Sequence, residues 1–155
     1  MQAIKAFLAS SDELAHERLV FSRIVLELGA QLRGRGMRID LVKWEYLDSS
    51  MGAMRKQEEY NRELATCDMV FVLFWRRFGE YTEEEFRMAL EGMRNRQRPR
   101  RIAVMFKNDG SEVEDGLAAF RNSLMAGNGL DVMEFGNDDE LCQKVKDTIL
   151  RQVEK

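Results

Sequence analysis

Apolar and polar positions along the chain fall into blocks that alternate between strand-like and helix-like spacing. Ile4–Ala9 is a short apolar run closed by Ser10-Ser11, which predicts a buried strand followed by a turn or helix cap. Leu14, Phe21, Ile24, Val25, Leu28 and Leu32 then fall on one helical face, and Gly34-Arg35-Gly36 stops that helix. Met37–Trp44 alternates, with Met37, Ile39 and Leu41 set against Arg38 and Asp40, as a half-exposed edge strand does. A loop through Asp48-Ser49-Ser50 leads into a polar helix from about Arg55 to Thr66. Met69–Trp75 is the most apolar run and reads as a central strand covered on both faces. Thr82 is expected to open a helix carrying Phe86, Ala89, Leu90 and Met93. Ile102–Phe106 follows as a strand, then a helix around Gly116–Met125 and a short strand near Leu130–Met133. A last helix opens at Asn137 or Asp138 and buries Leu141, Val145 and Ile149.

Five strands alternating with five helices imply one α/β domain over residues 1–155, a three-layer fold whose parallel sheet has helices on both faces. In such sheets ligands bind at the carboxyl ends of the strands, near the point where strand order reverses. That places Ser10–Glu13, Trp44–Arg55 and Arg76–Thr82 on the ligand edge, with Arg33–Arg38 and Arg94–Arg101 on the opposite one.

Composition narrows the chemistry. A chain of 155 residues, 45% hydrophobic and 33% charged, can bury a real core. A net charge of −3 argues against a dedicated nucleic-acid partner. Cys67 and Cys142 form neither a disulfide framework nor a zinc motif and fit a reducing compartment. No signal peptide is visible and no stretch approaches the ~20 apolar residues of a membrane span, so the reading is cytoplasmic, without a membrane partner. His16 is the single histidine, which argues against Ser-His-Asp and Cys-His hydrolases and against a catalytic zinc; no metal is expected. Neither GxxxxGK[ST] nor GxGxxG is present. A phospho-accepting receiver domain needs an aspartate where the third strand ends in Phe74-Trp75-Arg76.

The richest segment on the ligand edge is Phe74–Phe86. Trp75, Phe78 and Tyr81 offer aromatic faces for a nucleobase or nicotinamide ring, Arg76 and Arg77 can pair with a diphosphate, and Gly79 lets backbone come close. Glu85 borders the buried stripe of the next helix, whereas Glu83 and Glu84 point to solvent. A second reading of Glu85 is structural. Thr82-x-x-Glu85 is a capping box, and a glutamate folded back onto its cap cannot face a substrate.

Taken together, IKAFLASSDEL-x-x-ER, WEYLDSSMGAMRKQEEYN, CDMVFVLFWRRFGEYTEEEFRMAL and IAVMFK resemble a divergent branch of the TIR superfamily, across residues 3–107. The most specific pieces are Glu85-Phe86-x-x-Ala89 after the Gly79-x-Tyr81-Thr82 turn, and Arg55-Lys56-Gln57-x-x-Tyr60-Asn61. The resemblance implies a flavodoxin-like fold and an N-terminal effector module of a longer defence protein, clustered by a C-terminal sensor and self-associating through TIR–TIR contacts. It implies NAD, or a related nucleotide, as substrate rather than cofactor, and Glu85 as the carboxylate required to cleave the nicotinamide–ribose bond. Ser10 and Ser11 match the loop lining the pocket, and Trp44-Glu45 through Met54 the loop that gates it. That loop lacks the usual proline-glycine and keeps only Gly52.

One carboxylate suffices for this reaction. Nicotinamide departs from its pyridinium form neutral, without a general acid, through an oxocarbenium-like transition state that a buried carboxylate stabilises. Water as acceptor gives ADP-ribose; the adenine ring gives a cyclic product. Trp44 either contacts the ligand or caps the sheet, and Glu45 is a candidate second carboxylate. Arg18 beside Glu17 belongs to the resemblance, but a surface charge pattern explains it as well. Ser10 or Ser11 can equally cap the first helix, and His16 reads as a solvated helix residue. The run Arg94, Arg96, Arg98, Arg100, Arg101 reads as a solvated loop or as a contact surface for an acidic partner or a nucleic acid. Two other functions stay open: a nucleoside deoxyribosyltransferase-like N-glycosidase, and a non-catalytic TIR–TIR interaction module.

Overall fold

The computed structural model describes residues 2–43, 62–78, 80–127 and 129–153. Its strands are β1 (Gln2–Ser10), β2 (Met37–Lys43), β3 (Met69–Phe74), β4 (Arg101–Lys107) and β5 (Leu130–Phe135). They form one sheet in the order β2-β1-β3-β4-β5, with every neighbouring pair parallel. The helices are α1 (Ala15–Arg33), α2 (Glu80–Arg94), α3 (Asp115–Ser123) and α4 (Asp138–Val153). Residues 62–64 are helical and 65–66 form a turn; the remainder of the polar helix expected from about Arg55 to Thr66 falls outside the described residues. This is the flavodoxin-like α/β arrangement.

Both faces of the sheet are covered, so its strands need apolar side chains on both sides. Successive residues of β3 divide between two cores. Phe71 and Leu73 pack with α1 and α4, while Val70, Val72 and Phe74 pack with α2 and α3. Phe21 of α1 meets Phe71 edge-on, with ring centroids 4.9 Å apart. From α4, Leu141, Val145 and Ile149 enter the same core. Gly36, at φ +73°, supplies the left-handed turn that reverses the chain from α1 into β2.

Two local expectations change. Ser10 is the last residue of β1, and Ser11 precedes a 3-10 turn (Asp12–Leu14) without a side-chain capping bond, so neither serine caps the first helix. The helix expected from Thr82 begins at Glu80, which puts Thr82 inside α2. Pairing then fixes what meets on the ligand edge. Ser10 lies opposite Leu73, and Phe74 opposite Phe106.

Candidate active site

Strand order reverses between β1 and β3. The chain leaves β1 for β2 on one side and returns to β3 on the other, with α1 and α2 on opposite faces, and it is above two such strand ends that sheets of this kind form their ligand crevice. Three side chains converge there. Ser10 ends β1, Arg18 comes from the first turns of α1, and Glu85 comes from α2, which packs on β1. Arg18 Nη1 donates to Ser10 Oγ at 2.8 Å.

Glu85 is 6% exposed, and its Oε2 has no hydrogen-bond partner among the described residues. Because α2 starts two residues before Thr82, the two residues do not stand as N-cap and N3 of a capping box. Burial pushes the Glu85 carboxyl up to about 8; the Arg18 guanidinium pulls it back down and Glu84 pushes it up. A buried carboxyl held this far above its ordinary range, with an arginine nearby and one oxygen unpartnered among the described residues, is one whose ionised form a neighbouring cation would favour. Glu83 and Glu84 play no such part. Glu83 pairs with Arg87, and Glu84 is exposed.

The loop after β3 is held by Glu13, the last residue of the ligand-edge segment Ser10–Glu13. Glu13, whose side chain is 2% exposed, accepts the main-chain N–H groups of Arg76 (3.2 Å) and Arg77 (2.8 Å) and the Arg76 Nε (3.1 Å). This occupies Arg76, so a diphosphate would have to compete with Glu13 for it. Trp75 is occupied as well. Its Nε1 donates to Asp109 Oδ1 at 3.1 Å, and Arg76 and Lys107 each lie 3.9 Å from its ring centroid. Phe78 packs 5.7 Å from Phe74 and 4.8 Å from Phe120 between ring centroids, and its N–H donates to Glu114. Trp75 and Phe78 therefore build the edge of the sheet, and neither presents a bare stacking face.

Ser11 Oγ lies 3.4 Å from Glu13 Oε2, beside that loop. Trp44, Glu45 and Gly79 lie outside the described residues, as does the gating loop; Tyr81 has its backbone in the first turn of α2, and its side chain is likewise outside them. Glu17, read as one half of a surface pair with Arg18, is instead buried and accepts from Lys107 Nζ at 2.8 Å. His16 binds Asp138 at 2.7 Å and so joins α1 to α4. His16, Glu17 and Asp138 are the described group whose ligand atoms lie close enough to share a metal, but the Lys107 ammonium already holds Glu17. Burial pushes the Cys67 thiol up to about 12, which removes it as a nucleophile.

This site sits on a known scaffold. The chain superposes on the CMP N-glycosidase BcmB of Clostridium botulinum with a TM-score of 0.51 and 13% identity, covering 91% of this chain and 97% of that one. It also aligns with rubredoxin oxygen:oxidoreductase of Desulfovibrio gigas at a TM-score of 0.46 and 16% identity, over 99% of this chain and 36% of the other. At such identities the likeness is one of fold. No family model matches the sequence, and no curated protein matches it. Among the described residues no helix is long and apolar enough to cross a membrane.

Proposed function

We propose that this chain is a TIR-type glycohydrolase that uses Glu85 to break the N-glycosidic bond between ribose and nicotinamide in NAD. The observation that carries the proposal is the buried Glu85 carboxyl, its Oε2 unpartnered among the described residues, at the β1–β3 crevice beside Arg18 and Ser10. Idle buried acceptors are rare because each forfeits a hydrogen bond, and one placed at the ligand edge is explained by a substrate that completes it. The pyridinium charge of NAD favours the ionised carboxylate on binding. As the C–N bond breaks, its electron pair goes to the ring nitrogen and nicotinamide leaves neutral. Positive charge then grows on the ribose, where Glu85 stabilises it, and water adds at C1′ to give ADP-ribose and a proton.

The neighbouring carboxylates support this substrate. Glu13 accepts from the loop after β3 and Glu17 is paired with the Lys107 ammonium, so both are engaged as carboxylates and neither is poised to protonate a neutral leaving base. Fold likeness to a CMP N-glycosidase favours a second reading, in which a pyrimidine nucleotide is cleaved at the same bond type. Both readings need Glu85. The test is chromatography of concentrated protein incubated with NAD or with CMP, alongside Glu85→Gln. Nicotinamide released by the wild type and not by the variant supports the proposal. Cytosine release alone supports the second reading. Release of neither by folded, concentrated protein returns the chain to a TIR–TIR interaction module.

A further inference from the structure

The opposite edge of the sheet holds a cavity of about 540 Å³ that the Glu85 chemistry does not use. Its walls are the first residues of β1, Asp68, the segment leading into β4, and Gly129. Among the described residues three arginines face it, Arg98, Arg100 and Arg101, against one carboxylate, that of Asp68.

Two of the three are anchored. Arg101, with a side chain 10% exposed, donates from Nη1 to Asp131 at 2.7 Å and from Nε to Gln152 at 3.2 Å. Arg98 pairs with Asp68, which in turn accepts the N–H of Lys5 at 2.9 Å. Arg100 differs: its side chain is exposed and has no partner among the described residues, while its backbone is fixed. Its N–H donates to the Asp68 carbonyl at 2.9 Å. Gly129, at φ +92°, packs so close that a Cβ there would stand 2.8 Å from the Arg100 carbonyl oxygen.

A guanidinium carries five N–H donors. The anchoring bonds of Arg98 and Arg101 use a minority of them, and Arg100 commits none to the described residues. The lining thus offers surplus guanidinium donors and, among the described residues, a positive charge excess even after Asp131, the partner of Arg101, is counted. We propose that this cavity is a second ligand site, taking a phosphate or diphosphate group, free or carried by a small molecule. Phosphate matches the forks better than a single carboxylate does, because it presents three or more acceptor oxygens and close to two charges. A nucleic-acid track fits less well. Among the described residues no aromatic side chain lines the cavity for a base to stack on, and the volume suits a small molecule.

The test is titration of the 15N-labelled chain at constant ionic strength with inorganic phosphate, pyrophosphate or glycerol phosphate, following the amides of Gln2, Arg100 and Gly129. Saturable shifts at these amides are expected, weakened about tenfold or more in Arg100→Glu and unchanged in Glu85→Gln. Arg100 is exposed, so an unaltered melting temperature of its variant shows that the fold is kept. Tighter binding of glycerol phosphate than of inorganic phosphate identifies a phosphate ester as the ligand; the reverse identifies the free anion. Absence of saturation, shifts that survive Arg100→Glu, or shifts produced only by an oligonucleotide and strengthening with its length would each overturn the proposal.

Discussion

On the proposed function Glu85 would act on the glycosidic bond in one of two forms, and its raised pKa makes them distinguishable. A cationic leaving ring needs the carboxylate, whereas a neutral base needs a proton donor. In the free protein the group titrates near 8 because burial disfavours its charge and Arg18 only partly compensates. For NAD cleavage kcat/KM should therefore rise with pH and level off above about 8. A protonated-acid mechanism on a pyrimidine nucleotide would show the opposite limb, falling through the same pH. Arg18→Met removes the charge that favours the carboxylate, so the rising limb should move to higher pH, with Arg18→Lys lying between. A limb that stays put in Arg18→Met would show that Arg18 does not act on Glu85. Rate profiles on the three proteins read this directly.

At the level of elements, the ligand edge is built by charged side chains that reach from one segment to another. Glu13, in the 3-10 turn before α1, ties down the loop after β3, and Glu17 of α1 ties down Lys107 at the end of β4. Replacing Glu13 with alanine strands two backbone N–H groups and a guanidinium. The expected loss is about 2–4 kcal/mol of stability, measured by urea denaturation, with a fall in kcat/KM because the loop feeds α2 and Glu85. Glu13→Gln should recover part of both. An alanine variant as stable as the wild type would show that these bonds contribute nothing net. Such tethers explain which parts of the structure were legible in sequence. Strands and helices follow from local periodicity, and β3 and α1 could be read directly from MVFVLFW and from the Phe21–Leu32 stripe. The burial of Glu85 was legible because it borders such a stripe. The partners of Glu13, Glu17 and Trp75 lie between 34 and 90 residues away in sequence, and no local pattern encodes a pairing that only strand order creates. Arg18 was visible in the Glu-Arg pair, but its direction was not. A one-residue step turns Glu17 toward Lys107 and Arg18 toward Ser10. The start of α2 was misplaced because Thr82 resembles a cap, while the helix already begins at Glu80.

Across the whole molecule, a protonated buried carboxyl also affects stability, and the sign follows from proton linkage. The folded chain holds the Glu85 proton up to about 8, whereas an unfolded glutamate releases it near the ordinary value of 4.5. Between those values the native state binds more protons than the unfolded one, so stability falls as pH rises, by at most about 1.4 kcal/mol per pH unit from this group. Glutamine keeps the shape of the protonated acid and cannot ionise. Glu85→Gln should therefore match the wild type in stability near pH 4 and exceed it increasingly toward pH 8, while losing nicotinamide release. Denaturant midpoints of both proteins across that range measure the effect. A stability difference that is the same at both ends of the range would show that Glu85 ionises no less readily in the fold than in the open chain. The crevice would then have no need of a cation to bring out its carboxylate, and the argument for a positively charged substrate ring would lose its electrostatic basis. A difference that grows with pH would mean that the fold disfavours the ionised Glu85 at working pH, the condition under which a cationic substrate ring would bring out its carboxylate.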